Sequence, residues 1–318
     1  MHTLSRRQFV AGAGAISGLW PLQALGNNSP FRLSIITDEI SQDFAHALEV
    51  ASKEFGCRYV ELRGMWDKNL MRLSEKEVEE VRKTLDRFQL QVSCIASPLF
   101  KVDWPNAPVS RFSPKRDQFN ADFTFDQQDE VLERCIHLAK IFKTDRVRCF
   151  DFWRLDDPAP YRAAMDDKLR RAADRAFKQG IALVLENENA CNSATSAEAV
   201  RTLNAVKVAG LMLNWDPGNA ASRGETPFPD GYRLLPKNRL GHVHCKDVIR
   251  NSSKEGYEWA PVGKGVIDYA GLFRALKKDG YRRAVSLETH WRGAGTAEAS
   301  SRESMAGLKE KLRQARAL

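Results

Sequence analysis

No two of the six cysteines stand at Cys-x-x-Cys spacing, no Gly-x-Gly-x-x-Gly opens a helix after a strand-like run, and no block of like charges stands out. The first absence argues against a thiolate zinc site, the second against a dinucleotide-binding fold, the third against a nucleic-acid-binding tail. Histidine is scarce, at 6 residues in 318. What is present is an ordinary globular composition: 43% hydrophobic, 28% charged and a mean hydropathy of −0.45. That excludes both a disordered chain and a multi-spanning membrane protein. Lys plus Arg number 49 against 41 Asp plus Glu, so the formal charge of +8 favours anionic partners only weakly.

Residues 1–26 are set aside from the fold as a signal segment. Arg6 and Arg7 precede an apolar stretch of small residues from Phe9 to Leu25, broken by Gly12, Gly14, Gly18 and Pro21, and Ala24-Leu25-Gly26 offers a cleavage point. The breaks argue against a lasting transmembrane anchor. Ser5-Arg6-Arg7-Gln8-Phe9-Val10 resembles the twin-arginine export motif, which predicts a periplasmic mature domain over 27–318. Removing two arginines takes the charge from +8 to +6. An even number of cysteines in an exported protein permits disulfides. Cys94, Cys149 and Cys245 lie in strand-like runs, however, and the favoured reading of all six, with Cys57, Cys135 and Cys191, is reduced and structural.

The mature chain alternates short apolar runs with amphipathic stretches. Eight runs read as strands, at 33–37, 59–62, 91–96, 146–150, 182–185, 210–214, 241–244 and 284–287. Helical segments fall at 44–55, 75–88 behind a Ser74–Glu77 capping box, 127–142, 161–179, 196–204, 269–278 and 302–316; the connection at 220–238 is rich in proline and glycine and weakly helical. Eight strand–helix units in one chain predict an α/β fold, a single (β/α)8 TIM barrel.

Active sites of such barrels lie at the C-terminal strand ends, so the polar residue that closes each run carries the functional reading. Asp38 and Glu39 follow strand one, Glu61 and Arg63 strand two, Arg148 and Asp151 strand four. Glu186, Asn187 and Glu188 end strand five, Asp216 strand six, His242, His244, Lys246 and Asp247 strand seven, Glu288 and His290 strand eight. Strands five to eight thus bring two glutamates, an aspartate and a histidine to one face. Carboxylates with one imidazole suit a divalent cation, Mn, Mg, Co or Zn, with open positions for water or substrate.

Val184-Leu185-Glu186-Asn187, Asn214-Trp215-Asp216-Pro217-Gly218-Asn219, Gly241-His242-Val243-His244-Cys245-Lys246-Asp247 and Ser286-Leu287-Glu288-Thr289 together resemble the xylose isomerase-like barrel superfamily of sugar phosphate isomerases and epimerases. The segments 36–41, 59–63 and 260–268 are similar to that group as well. The resemblance implies that Glu186, Asp216, His244 and Glu288 hold one divalent metal. It also implies that Glu186 and Glu288 flank the substrate and transfer protons beside its carbonyl, in an isomerase or epimerase acting on a small-molecule sugar or keto-sugar. Arg63, Arg148, Trp153, Asn219, Lys246 and Lys264 are the candidate substrate contacts, and His242 is expected to face away from His244 in a structural role.

Two departures limit the resemblance. Asn219 stands where ketose epimerases carry a histidine, and Cys245-Lys246-Asp247 replaces their Glu-x-Asn-Arg, so the resemblance does not extend to free-ketose 3-epimerisation. A lyase or hydratase on a keto-sugar or keto-glycoside uses the same metal and base, and the motifs do not separate it from an isomerase. An apurinic endonuclease of this superfamily needs more histidines than His46, His137, His242, His244 and His290 supply, and no nucleic-acid partner is expected. A non-catalytic sugar-binding barrel is opposed by the intact Glu186 and Glu288. An exported enzyme meets few sugar phosphates, which points to an unphosphorylated or oxidised sugar.

Overall fold

A strand buried on both faces needs neighbours on both sides, and in the computed structural model the eight apolar runs supply them to one another. Residues 29–110, 113–114, 119, 121–251 and 256–318 are described; the leader expected at 1–26 lies outside them. The strands are β1 (Arg32–Ile35), β2 (Tyr59–Leu62), β3 (Gln91–Ile95), β4 (Arg146–Cys149), β5 (Ala182–Glu186), β6 (Leu211–Trp215), β7 (Leu240–Cys245) and β8 (Ala284–Leu287). They are parallel and hydrogen-bonded in the order β1-β8-β7-β6-β5-β4-β3-β2, and a parallel bridge from Ile36 to Glu61 joins β2 back to β1. The expected (β/α)8 barrel is therefore the observed one. All five side chains of β5 are buried, as a strand between a filled lumen and a helix layer requires.

The outer layer consists of α1 (Phe44–Glu49, extended by a wider turn at Val50–Glu54), α2 (Glu75–Phe88), α3 (Gln128–Ile141), α4 (Arg162–Phe177), α5 (Ser196–Ala205), α6 (Pro217–Ser222), α7 (Tyr269–Lys278) and α8 (Ala297–Gln314). The Ser74–Glu77 capping box forms, and a second one, Thr195 with Glu198, opens α5. Helix α8 starts five residues before the expected 302 because the Thr296 hydroxyl caps it, accepting from the Ala299 amide. Two antiparallel hairpins were not expected: Gly64–Met65 with Lys68–Asn69, and Asp247–Asn251 with Gly256–Ala260, each following a barrel strand at its C-terminal end. All six cysteines are free and buried, and burial pushes the Cys57 and Cys135 thiols up to about 12. Among the described residues, no helix is long and apolar enough to cross a membrane.

Candidate active site

The four expected ligands meet. One ligand atom from each of Glu186, Asp216, His244 and Glu288 lies within 4.8 Å of the others, and all four side chains are buried. Their placement follows from the strands. Glu186 is the last residue of β5, and Asp216 follows β6 directly. Asp216 also caps α6, where its Oδ1 accepts the Asn219 amide at 2.8 Å and Pro217 takes the first helical position. The Asn187 side chain ties the two strand ends, accepting from the Asp216 amide and donating to the Asp216 carbonyl, both at 2.7 Å. Gly218 is needed for the close passage of the chain just after β7: a Cβ there would stand 2.6 Å from both Cγ and the carbonyl oxygen of Lys246.

His244 faces the quartet with Nδ1, which lies 3.2 Å from Glu186, 3.4 Å from Glu288 and 3.8 Å from Asp216. Arg148 donates to Glu186 at 3.0 Å, stands 3.9 Å from Glu288, and is fixed by donation to the carbonyls of Ser97 and Ala96. The Lys246 ammonium is 2.6 Å from Glu288 and 3.1 Å from Asp216 Oδ2, but off the line of a hydrogen bond to the latter, which leaves Oδ2 buried with no hydrogen-bond partner.

Charge at the barrel mouth is unbalanced. Asp38, Glu39, Glu61, Glu186, Asp216 and Glu288 are six carboxylates with side chains at most 6% exposed, against three equally buried fixed cations, Arg63, Arg148 and Lys246. Buried charge is tolerated when paired or bound to metal. A buried carboxylate oxygen that accepts no hydrogen bond, a surplus of buried negative charge and one converging imidazole make a donor set that fits a divalent cation.

The titrations follow from these contacts. Burial would lift Glu186, but Arg148 and His244 outweigh it and bring its carboxyl to about 2. Burial dominates at Asp216, raising it to about 6 against the pull of Lys246. Glu288 is held well below the ordinary range, burial being overcome by Lys246, His290 and His244. Burial would lower His244, but Glu61, Glu186 and Glu288 hold it well above the ordinary imidazole value.

Of the expected substrate contacts, Lys246, Arg148 and Asn219 stand at the quartet; the Asn219 amide donates to Glu186 at 3.4 Å and to the Asn187 carbonyl at 2.9 Å. Arg63 is at the mouth but committed to protein partners: Nε donates to Asp38 at 2.9 Å, Nη2 to Glu39 at 2.6 Å and Nη1 to Glu288 at 3.2 Å. Trp153 packs with Phe150 and Cys191 at 6% exposure, and its indole face lies 5.4 Å from the Lys101 ammonium. Lys264 does not join the site. Its side chain is 67% exposed and pairs with Glu303 on α8, because the turn after the second hairpin points it outward.

The expected orientation of His242 is also corrected. Residues two apart on a strand share a face, and His242 and His244 both point into the lumen with ring centroids 5.4 Å apart. The sequence marks Glu61 as a strand-end residue but gives it no role, and its carboxylate meets both histidines; it does not single out Trp259, whose ring is 5.1 Å from His290 and 5.2 Å from the Lys246 ammonium. The β-prone Val248-Ile249 pair and the alternating Tyr257 and Trp259, separated by a polar run, were the available signal for the hairpin that carries Trp259.

A family model described as xylose isomerase-like TIM barrel matches residues 50–311. The chain belongs to that family. No curated protein matches it in sequence. Among solved structures, this xylose isomerase-like barrel is similar to the IolI protein with a bound zinc atom, at TM-score 0.67 and 17% identity over 90% of this chain and 99% of that one. It is similar also to AsbF of Bacillus anthracis, a probable 3-DHS dehydratase involved in petrobactin synthesis, at TM-score 0.65 and 18% identity over 87% and 98%. A third is the apo 3-keto-D-glucoside 4-epimerase YcjR of E. coli, at TM-score 0.62 and 19% identity over 88% and 99%. At these identities the likeness establishes the fold.

Proposed function

We propose that the protein is a divalent-metal-dependent isomerase or epimerase that moves a proton beside the carbonyl of an unphosphorylated or oxidised sugar. The observation that carries this reading is the placement of two buried carboxylates, Glu186 and Glu288, around one guanidinium, Arg148, next to an Asp216 oxygen with no hydrogen-bond partner. Both glutamates are held below the ordinary range and stay ionised at neutral pH. Carboxylates of that kind are weak bases, so the carbon acid they deprotonate must itself be activated. A divalent cation held by Glu186, Asp216, His244 and Glu288 would polarise the carbonyl and offset the charge that develops beside it.

The remaining roles belong to the chain itself. One glutamate takes the proton and the other returns it; Lys246, 2.6 Å from Glu288, donates a hydrogen bond to a substrate oxygen; Arg148 and Asn219 fix the Glu186 carboxylate. The twin-arginine segment at 1–26 delivers the folded protein to the periplasm, where unphosphorylated sugars are met. A lyase or hydratase is the second reading. It is favoured by the buried Lys246 ammonium beside Glu288, a group placed to assist a departing hydroxyl, and by likeness to a probable dehydratase.

Turnover in heavy water, followed by mass spectrometry, tests the proposal. The proton beside the carbonyl should exchange, and Glu186→Gln and Glu288→Gln should each lose ~10²- to 10⁴-fold in rate while still binding sugar. An isomerase returns product of unchanged mass apart from deuterium, whereas a lyase or hydratase releases or adds a group. Full activity in Glu288→Gln refutes the two-carboxylate mechanism, and no turnover on a panel of sugars and keto-glycosides favours a binding barrel.

A further inference from the structure

His244 touches carboxylates with both ring nitrogens. Nδ1 faces Glu186, Asp216 and Glu288, while Nε2 lies 3.1 and 3.3 Å from the two oxygens of Glu61, a residue from the opposite wall of the barrel. Glu61 is wholly buried, and the pairing of β2 with β3 shifts register between Val60 and Glu61. Its Oε2 also meets His242 Nε2 at 3.0 Å.

A neutral imidazole carries one proton. A ligand nitrogen must be bare, so a cation on Nδ1 requires the proton on Nε2, where a carboxylate accepts it. The opposite tautomer would set the bare Nε2 lone pair against two carboxylate oxygens. Asn214 Nδ2 stands 3.2 Å from Nε2 and 3.4 Å from Nδ1, so it does not select one ring nitrogen over the other. Glu61 is the acceptor in reach.

We infer that Glu61 is a positioning residue. It fixes His244 as the Nε2-protonated tautomer with Nδ1 turned to the cation, and His242 holds Glu61 in place by donating to the same oxygen. Glu61, His242 and His244 could be read instead as a second cation site, since their ligand atoms converge as closely as the quartet's. One proton decides between them: a neutral imidazole has a single bare nitrogen, so a cation held through Nδ1 in the quartet leaves His244 Nε2 protonated and closed to a second cation on the trio. The inference rests on the metal-binding part of the proposed function and is tested without substrate.

Mn2+ binding to chelator-stripped protein is measured by the loss of its free-ion paramagnetic resonance signal. Wild type should bind one Mn2+ per chain. Glu61→Gln, whose amide offers one acceptor where two are used and turns a donor toward the second histidine, should bind ~10- to 100-fold more weakly. Histidine ¹⁵N resonances of the wild-type protein with Zn2+ or Mg2+ give a second readout that needs no variant to fold: His244 should carry its proton on Nε2. A proton on Nδ1, or unchanged Mn2+ affinity in Glu61→Gln, overturns the positioning role while leaving the quartet intact. A second Mn2+ equivalent lost only in Glu61→Gln overturns it in favour of a cation site on the trio. Wild-type protein that binds no Mn2+ overturns both readings.

Discussion

Arg63 joins three carboxylates while being 3% exposed, so replacing it by methionine removes charge from a place water does not reach. Removing one partner of a buried ion pair costs about 3–5 kcal/mol, because the groups left behind keep their burial and lose their compensation. At roughly 2 cal/mol/K per residue over the barrel, that is a fall of roughly 5–8 °C in melting temperature. The loss should depend on pH in a set direction. In the wild type, burial would lift Glu39, but Arg63, His290 and Arg292 outweigh it and hold its carboxyl below the ordinary value. The stability Glu39 contributes is therefore present above the unfolded glutamate pKa of about 4.3 and is lost as pH falls through the lower folded value.

In Arg63→Met, burial and the neighbouring carboxylates lift Glu39 and lift Asp38 further. The variant is then best placed at low pH and loses stability as pH rises through those raised values. Thermal unfolding of chelator-treated wild type and variant, followed by circular dichroism at pH 8 and pH 5, measures both effects. The gap should be widest at pH 8 and narrow toward pH 5. A gap under about 2 °C at pH 8, or one equal at both pH values, refutes the reasoning, since the first denies the buried ionic role and the second denies its electrostatic origin.

Three further outcomes are expected. Elemental analysis should find about one divalent ion per wild-type chain and none in His244→Ala; equal content in both removes His244 from the site. Gly307→Ala should destabilise by about 1–3 kcal/mol in denaturant unfolding, although alanine in a helix ordinarily gains close to 1 kcal/mol over glycine, because the new Cβ would fall 1.9 Å from the Val262 carbonyl oxygen. Replacing Arg6 and Arg7 by lysine should leave the protein in the cytoplasm, and N-terminal sequencing of the exported wild type should begin near Asn27; periplasmic protein starting at Met1 refutes the leader reading.

The four candidate ligands were legible because each closes or directly follows an apolar run, and in a barrel that position is enough to bring it to one face. Lys246 and Asn219 were legible through the same motifs. Glu61 was not, although it too lies at a strand end: its role depends on His242 and His244 from the opposite wall, and no local pattern reports a partner across a lumen. Arg63 was placed at the mouth but read as a substrate contact, since sequence does not show that Asp38, Glu39 and Glu288 all converge on it. Lys264 was misplaced because the chain after β7 turns back through an unforeseen hairpin before reaching it. The start of α8 was missed because Thr296 caps a first turn whose apolar spacing is weak.

The Arg63 cluster spans the seam where the barrel closes. Asp38 and Glu39 follow the first strand, Arg63 the second, and Glu288 the last, 225 residues further on. His244 likewise finds Glu61 across 183 residues. Contacts of such sequence separation form late, since the loop they close is long and its entropy must be lost before they contribute. A growing chain that ends before β8 thus lacks Glu288, which is both the fourth candidate ligand and the third of the carboxylates that hold Arg63. Completion of the ion network therefore marks completion of the fold, since Glu288 reaches Arg63 and Lys246 only when the last strand has docked.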